Sequence, residues 1–231
     1  MKKLTIFAVA FLFGAFFTTS SVLAVDFSGT SSGIFQSPVG PAGMVTSGVG
    51  TSSFSWGTGS PPPINNLTFT GVDPLVGFFE QEFQFGTLYY YNGTIIAGTE
   101  ANSVDLLTTL SFTTPSGSQD FTFPLQLINT PNTGTPVEQA DYVLLNSAVD
   151  PNVYFEVGGI NYYLQFTGFG LPSGDGFVTI NQFHVLENSF ATAQLLGTLT
   201  ATPTGVPEPG TMLLLGSGLV GLIAFRKKFK K

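Results

Sequence analysis

From Val104 to Phe112 the chain alternates. Val104, Leu106, Thr108, Leu110 and Phe112 fall on one side, against Asp105, Thr109 and Ser111 on the other. A two-residue period puts successive side chains on opposite faces of an extended strand and is incompatible with a helix, whose period is near 3.6. The same pattern recurs along the body. Phe54 and Trp56 share a side within residues 51–56, and Leu67 and Phe69 alternate with Thr68 and Thr70. Phe83 and Phe85 open a strand that runs on through Leu88, Tyr89, Tyr90 and Tyr91. Phe121, Phe123, Leu125 and Leu127 make another face, in which Pro124 lacks an N–H and belongs at an edge or bulge. Residues 142–145, 153–157, 160–166, 177–186 and 195–201 complete the set. Asn92-Gly93 and Gly158-Gly159 have the composition of two-residue hairpin turns, which need positive φ. Outside the two ends no stretch keeps a helical period for more than two turns. The expectation is all-β: about ten strands in a jelly-roll-like antiparallel β-sandwich spanning residues 25–205, with its core in 28–200. Residues 26–47, rich in Ser, Gly, Val and Pro, read as a loose lead-in with one edge strand at most. Pro61-Pro62-Pro63 reads as a stiff loop, and residues 202–205 as a linker.

The two ends differ from this body. All seven Lys and Arg residues lie at positions 2, 3, 226, 227, 228, 230 and 231. The body holds thirteen of the fourteen carboxylates and no basic side chain but His184, so the net charge of −7 understates its acidity. Without cations it has no Lys/Arg ion pairs and must rest on burial and hydrogen bonding. Nucleic-acid binding is excluded, because phosphate contacts need cations, and phosphorylated ligands are disfavoured for the same reason. The chain has no cysteine, so no disulfide contributes; the 24 phenylalanines supply the apolar area.

Residues 1–24 have the layout of a secretory signal peptide. Lys2 and Lys3 precede an apolar run from Leu4 to Phe17, and Val22-Leu23-Ala24 places cleavage after Ala24. At the other end stand Val206, Pro207, Glu208, Pro209 and Gly210, then the uncharged run Met212–Phe225, then Arg226, Lys227, Lys228, Lys230 and Lys231. The fourteen residues 212–225 would cover ~21 Å as a helix, short of a ~30 Å hydrocarbon core unless Thr211 and snorkelling basic residues extend it. We therefore expect a membrane helix over 211–225 with the basic block as its cytoplasmic stop-transfer end and residues 25–205 outside the cytoplasm. Pro207 and Pro209 block helix propagation and keep the segment before the span extended. This order of parts resembles the PEP-CTERM sorting signal over residues 206–231. The resemblance implies recognition by a membrane-embedded protease-transpeptidase, the exosortase, with cleavage near Pro-Glu-Pro. It also implies export through the general secretion machinery and signal peptidase, transient residence in the inner membrane, and a final place at the cell surface or in an exopolysaccharide (biofilm) matrix.

Five stretches of the body are similar to the choice-of-anchor K class of exported bacterial domains: Gly50–Gly57, Leu88–Thr99 with Tyr91-Asn92-Gly93-Thr94, Asn129–Thr133, Ala140-Asp141 and Tyr163–Phe169. That class carries no established activity, so the resemblance implies a surface-displayed β domain and no site.

Residues that could carry chemistry are few. Glu80 and Glu82, two apart on one strand, would share a face ~7 Å apart, near the spacing of inverting glycosidases. Against this, Glu-Gln-Glu sits where a strand begins, and a solvated edge explains it as well. His184 is the single histidine; with no cysteine it makes a poor zinc site, and no Gly-x-Ser-x-Gly accompanies it for a triad. Calcium has more oxygen donors to choose from, at Asp73, Asp120, Asp141, Asp150, Asn152 and Asp175, but no Asp-x-Asp-x-Asp-Gly loop organises them. Tyr89, Tyr90 and Tyr91 could stack sugars, although at period two at least one must point inward; Trp56 and Tyr90 suit the core. Asn66-Leu67-Thr68 and Asn92-Gly93-Thr94 match a glycosylation pattern and read here as turn residues. Neither a catalytic residue nor a cofactor is expected. The readings that remain are a non-enzymatic surface or matrix protein, a carbohydrate-binding module, and a glycan hydrolase using Glu80 and Glu82.

Overall fold

The computed structural model of the protein describes residues 26–59, 63–145 and 152–202. The signal-peptide segment with Ala24, the tail with its sorting residues and basic block, Pro61, Pro62 and Asp150 lie outside the described residues. Fourteen strands run through the described residues. They are β1 (Asp26–Val39), β2 (Thr46–Ser47), β3 (Ser53–Trp56), β4 (Asn65–Gly71), β5 (Leu75–Phe78), β6 (Glu82–Asn92) and β7 (Ser103–Thr114). The second half contributes β8 (Ser116–Ile128), β9 (Asp141–Leu145), β10 (Phe155–Val157), β11 (Ile160–Gly174), β12 (Gly176–Val178), β13 (Gln182–Val185) and β14 (Ser189–Thr202). Two seven-stranded antiparallel sheets pack as a β-sandwich. One has the order β12-β13-β9-β8-β7-β1-β5 and the other β10-β11-β14-β6-β4-β3-β2. No helix among the described residues is long and apolar enough to cross a membrane.

The alternating segments face where their period puts them. Val104, Leu106, Thr108, Leu110 and Phe112 of β7 are buried, as are Phe121, Phe123, Leu125 and Leu127 of β8. Phe54, Trp56, Leu67 and Phe69 are buried from the opposite sheet. Aromatic contacts run both within and between the layers. Phe27 meets Phe79, Phe83 and Phe112 edge-on at 5.3, 4.8 and 5.6 Å, and Trp56 stacks between Phe54 and Tyr90 at 5.7 Å each. Gly158 and Gly159, both at positive φ, join β10 to β11 as the hairpin their composition calls for. Pro124 is exposed and precedes Leu125–Leu145, the first pair of the described β8–β9 ladder, so its missing N–H interrupts no described bond there.

Five expectations are corrected. Residues 26–39 are not a loose lead-in: β1 lies inside its sheet between β7 and β5. Its buried face is Phe27, Gly29, Ser31, Gly33 and Phe35, and the small members are required rather than permissive. A Cβ on Gly33 would come within 2.8 Å of the Phe69 ring, and one on Gly86 within 2.2 Å, so Phe69 fills a hole made by two glycines on facing sheets. Asn92-Gly93 is not a hairpin turn. β6 belongs to one sheet and β7 to the other, so the chain crosses between layers there, and Asn92 is fully buried. Asn66 is mid-strand in β4, donating to Ser53 Oγ, Phe54 O and Ser55 Oγ, so neither glycosylation-like asparagine sits in a turn. The stretch 177–186 is two strands, with the Thr179 N–H donating to Gln182 O across the turn. Finally, the strands among the described residues number fourteen rather than about ten, because Gly- and Ser-containing stretches also pair.

β6 also carries an irregularity hidden in the sequence. Its buried side changes from Phe83 and Phe85 to Leu88 and Tyr90, with Phe85 and Gly86 both buried. Opposite it the β14 register shifts between Leu195 and Leu196. Phe85 is the extra residue of a bulge. Ser31 closes it from the other sheet, donating to Phe85 O at 2.6 Å and accepting from Val72 N at 2.7 Å.

Candidate functional site

The sandwich has two distinct poles. Asp26 pairs with Phe78, and Glu80 beside it accepts a hydrogen bond from Ala201 N and donates its own N–H to Leu199 O at 3.0 Å. The first and last described strands, β1 and β14, therefore begin and end at one pole. From there β6 runs to Asn92, β8 to Ile128 and β1 to Val39 at the other pole. With ~3.3 Å per residue, the eleven residues of β6 separate the two by roughly 35 Å.

At the far pole the loop after β6, the start of β7, the end of β8 and the loop leading to β9 enclose a groove of about 850 Å³. Gly93, Thr94, Glu100, Asn102, Gln126, Asn129, Thr130, Asn132, Asp141 and Glu187 supply its polar lining, and Ile95, Leu127 and Ile128 its apolar part. The framework is held by amides and carboxylates. Asn65 Oδ1 accepts from Gly93 N at 2.6 Å, and its Nδ2 donates to Asn129 Oδ1 at 3.4 Å. Asn92 Nδ2 donates to Val185 O at 3.0 Å. Asp141, 4% exposed, accepts from Thr130 N at 2.6 Å and Thr130 Oγ1 at 3.1 Å on one oxygen. Glu187 Oε1 accepts from Thr94 Oγ1 at 2.6 Å and Asn132 Nδ2 at 2.8 Å. Burial pushes the Asp141 carboxyl up to about 6; the Thr130 hydrogen bonds pull it down, and Glu187 adds a smaller upward push. These carboxylates tie loops together: Asp141 closes the loop from Thr130, and Glu187 pins two loops from different strands.

Three of the five stretches quoted for the choice-of-anchor K resemblance, Tyr91–Thr94, Asn129–Thr133 and Ala140-Asp141, meet at this groove. Glu100, Asn102, Gln126 and Glu187 line it too and were not singled out from the sequence, because single polar residues at strand ends carry no periodic signal.

The other candidates are dispersed. Glu80 lies in the turn before β6 with φ 65° while Glu82 is the first residue of β6, so they do not share a strand face. Glu82 Oε2 accepts from Thr167 Oγ1 at 2.7 Å, and Glu80 holds the exit strand at the near pole, far from the groove. His184 is stacked at 4.4 Å on Phe177 and 4.5 Å on Tyr142, with Nε2 2.9 Å from Gln182 Oε1. Desolvation lowers its pKa. Asp73, Asp120, Asp141 and Asp175 stand on separate elements, and no group of three His, Cys, Asp or Glu among the described residues is placed to hold a metal ion. Tyr90 is buried between Trp56 and Phe183, whereas Tyr89 lies on the outer face and stacks at 5.9 Å on the exposed Phe190.

No curated protein matches the chain. Residues 205–228 match the PEP-CTERM protein-sorting motif. The motif marks an exported protein that passes the membrane, with an exosortase as its processing partner. It begins three residues beyond Thr202, the last residue of β14, the strand that ends at the near pole.

Proposed function

We propose that the chain is a non-enzymatic protein of the cell surface or exopolysaccharide matrix, whose sandwich is released or transferred after exosortase processing at Val206–Gly210. The observation that carries this reading is the sorting motif at 205–228 directly behind the strand that ends at the near pole. Signal peptidase removes residues 1–24 after Ala24. The run 211–225 holds the chain transiently in the inner membrane, with Arg226, Lys227, Lys228, Lys230 and Lys231 retained inside. The sandwich is then a jelly-roll-like ectodomain of the choice-of-anchor K type; the chain's repeated crossing between sheets and the meeting of three of its polar stretches support that description. The non-enzymatic role is supported by the use of Glu80, Glu82, Asp141 and Glu187 as hydrogen-bond acceptors within the fold.

Intact mass of the mature protein from its host tests the processing. The expected mass lacks residues 1–24 and the segment after the Pro-Glu-Pro. A mass that retains Met212–Lys231 with the exosortase present would make the tail a plain anchor. The carbohydrate-binding reading is favoured by one observation, the open polar groove at the far pole.

A further inference from the structure

We infer that the far-pole groove binds a neutral, hydroxyl-rich polysaccharide, with the side-chain amides of Asn102 and Gln126 as its recognition groups. The inference rests on the non-enzymatic ectodomain reading and assigns it a site. Its size suits a few sugar rings: pockets for small ligands span roughly 300–1,000 Å³. Its chemistry narrows the ligand further. Each of the groove's carboxylates is held within the fold through one oxygen, Asp141 by Thr130, Glu187 by Thr94 and Asn132, and Glu100 by Gly98 N at 2.5 Å. By contrast Asn102 and Gln126 are exposed, and their amides make no side-chain hydrogen bond among the described residues. Ser103 pairs with Gln126 across β7 and β8, and Leu127 N donates to Asn102 O at 2.8 Å, so both amides stand on backbone fixed by the sheet. A primary amide offers donor and acceptor together, which matches vicinal hydroxyls. Ile95 and Ile128, both only partly buried, supply apolar surface for the C–H faces of a sugar ring.

Charge excludes the alternatives on one side. No Lys or Arg lies between positions 3 and 226, so a uronate or phosphate entering beside Glu100 and Glu187 would meet only negative charge. The polarity of the fold adds an independent argument. The groove opens at the pole opposite the end of β14, the strand that the sorting motif follows in sequence, so an extended polymer outside the cell would reach it without obstruction from a membrane-held tail.

Binding of the full chain, purified in mild detergent, to four soluble polymers tests this: dextran, galactomannan, polygalacturonate and chitosan. The expected result is saturable binding to dextran or galactomannan and none to polygalacturonate. The double substitution Asn102→Ala/Gln126→Ala should weaken the neutral binding at least tenfold with an unchanged Tm, while Glu82→Gln, at the other pole, leaves it intact. Binding to chitosan alone, binding to neither neutral polymer, or binding unaffected by the double substitution would overturn the site. Release of reducing ends from a bound polymer would instead contradict the non-enzymatic reading. The intact-mass measurement stands apart from both.

Discussion

The two poles of the sandwich are built from different materials. The near pole is aromatic: Phe27 lies against Phe79, Phe83 and Phe112, and Phe112 stacks on Phe155 at 4.4 Å. Its polar contacts include the Glu80 clamp on the exit strand and the Glu82–Thr167 hydrogen bond. At the far pole the loops are held by amides and carboxylates, with Asn65, Asn92, Asp141 and Glu187 tying them beside the end of the Phe54–Trp56–Tyr90 stack. Apolar burial is non-directional and fixes where a strand end sits; hydrogen-bonded loops fix shape at a surface that must stay open to solvent. The difference matches the division of labour proposed here, with tethering at one end and recognition at the other.

The largest way to break the comparison is at the near pole. Phe27→Ala should cost about 3–5 kcal/mol, read as a lowered midpoint in denaturant, because the cavity opens among three other rings. Groove binding by the fraction that remains folded should be unchanged. At the far pole the corresponding lever is pH. The Asp141 carboxyl sits near 6 in the folded chain against 3.8 as a free group, so the folded state holds the proton more tightly between these values. Its contribution therefore makes the fold more stable as pH falls from about 6 toward 4, by on the order of 2–3 kcal/mol. Asp141→Asn should remove that slope, measured as Tm against pH, while keeping an acceptor for Thr130.

Between the poles, Ser31→Ala should cost roughly 1–3 kcal/mol, since Phe85 O and Val72 N each lose their bond to Ser31. Smallest is Thr108→Val. The Thr108 Oγ1 is buried without a partner, so the isosteric change should be neutral or stabilising by about 1 kcal/mol, again as a shift in Tm. A clear destabilisation would mean that this hydroxyl is satisfied in solution.

How much of this was legible depended on which force shaped each part. β7 and β8 were, because one face is buried and Val104 through Phe112 and Phe121 through Leu127 keep the period. β1 was not, since its inward face includes Gly29, Ser31 and Gly33, which carry no hydrophobic signal; their roles exist only against the Ser111–Phe112 backbone, the Phe85 bulge and the Phe69 ring respectively. The Asn92-Gly93 pair misled for a related reason. Turn composition gives the local preference, but here the chain crosses to the other sheet and uses Asn92 as a buried hydrogen-bond donor to Val185 O. Parts of the groove were visible only as short polar motifs without periodicity; Gln126 joins them through its register with Ser103, and Asn102 through the Leu127 N–H bond to its carbonyl.

The central claim is that the sandwich stands on the membrane by its near pole with the groove facing away, and the absence of cysteine makes it directly measurable. Ser116 and Gln126 open and nearly close β8, ten residues or ~33 Å apart. The eight residues 203–210 before the expected span can reach no further than ~28 Å. With Ser116→Cys and Gln126→Cys each labelled by a fluorophore in the full chain, reconstituted in liposomes without the exosortase, a headgroup quencher reports the distance of each pole. The account predicts strong quenching at position 116 and little at 126. Equal quenching at the two positions, or the reverse order, would contradict it.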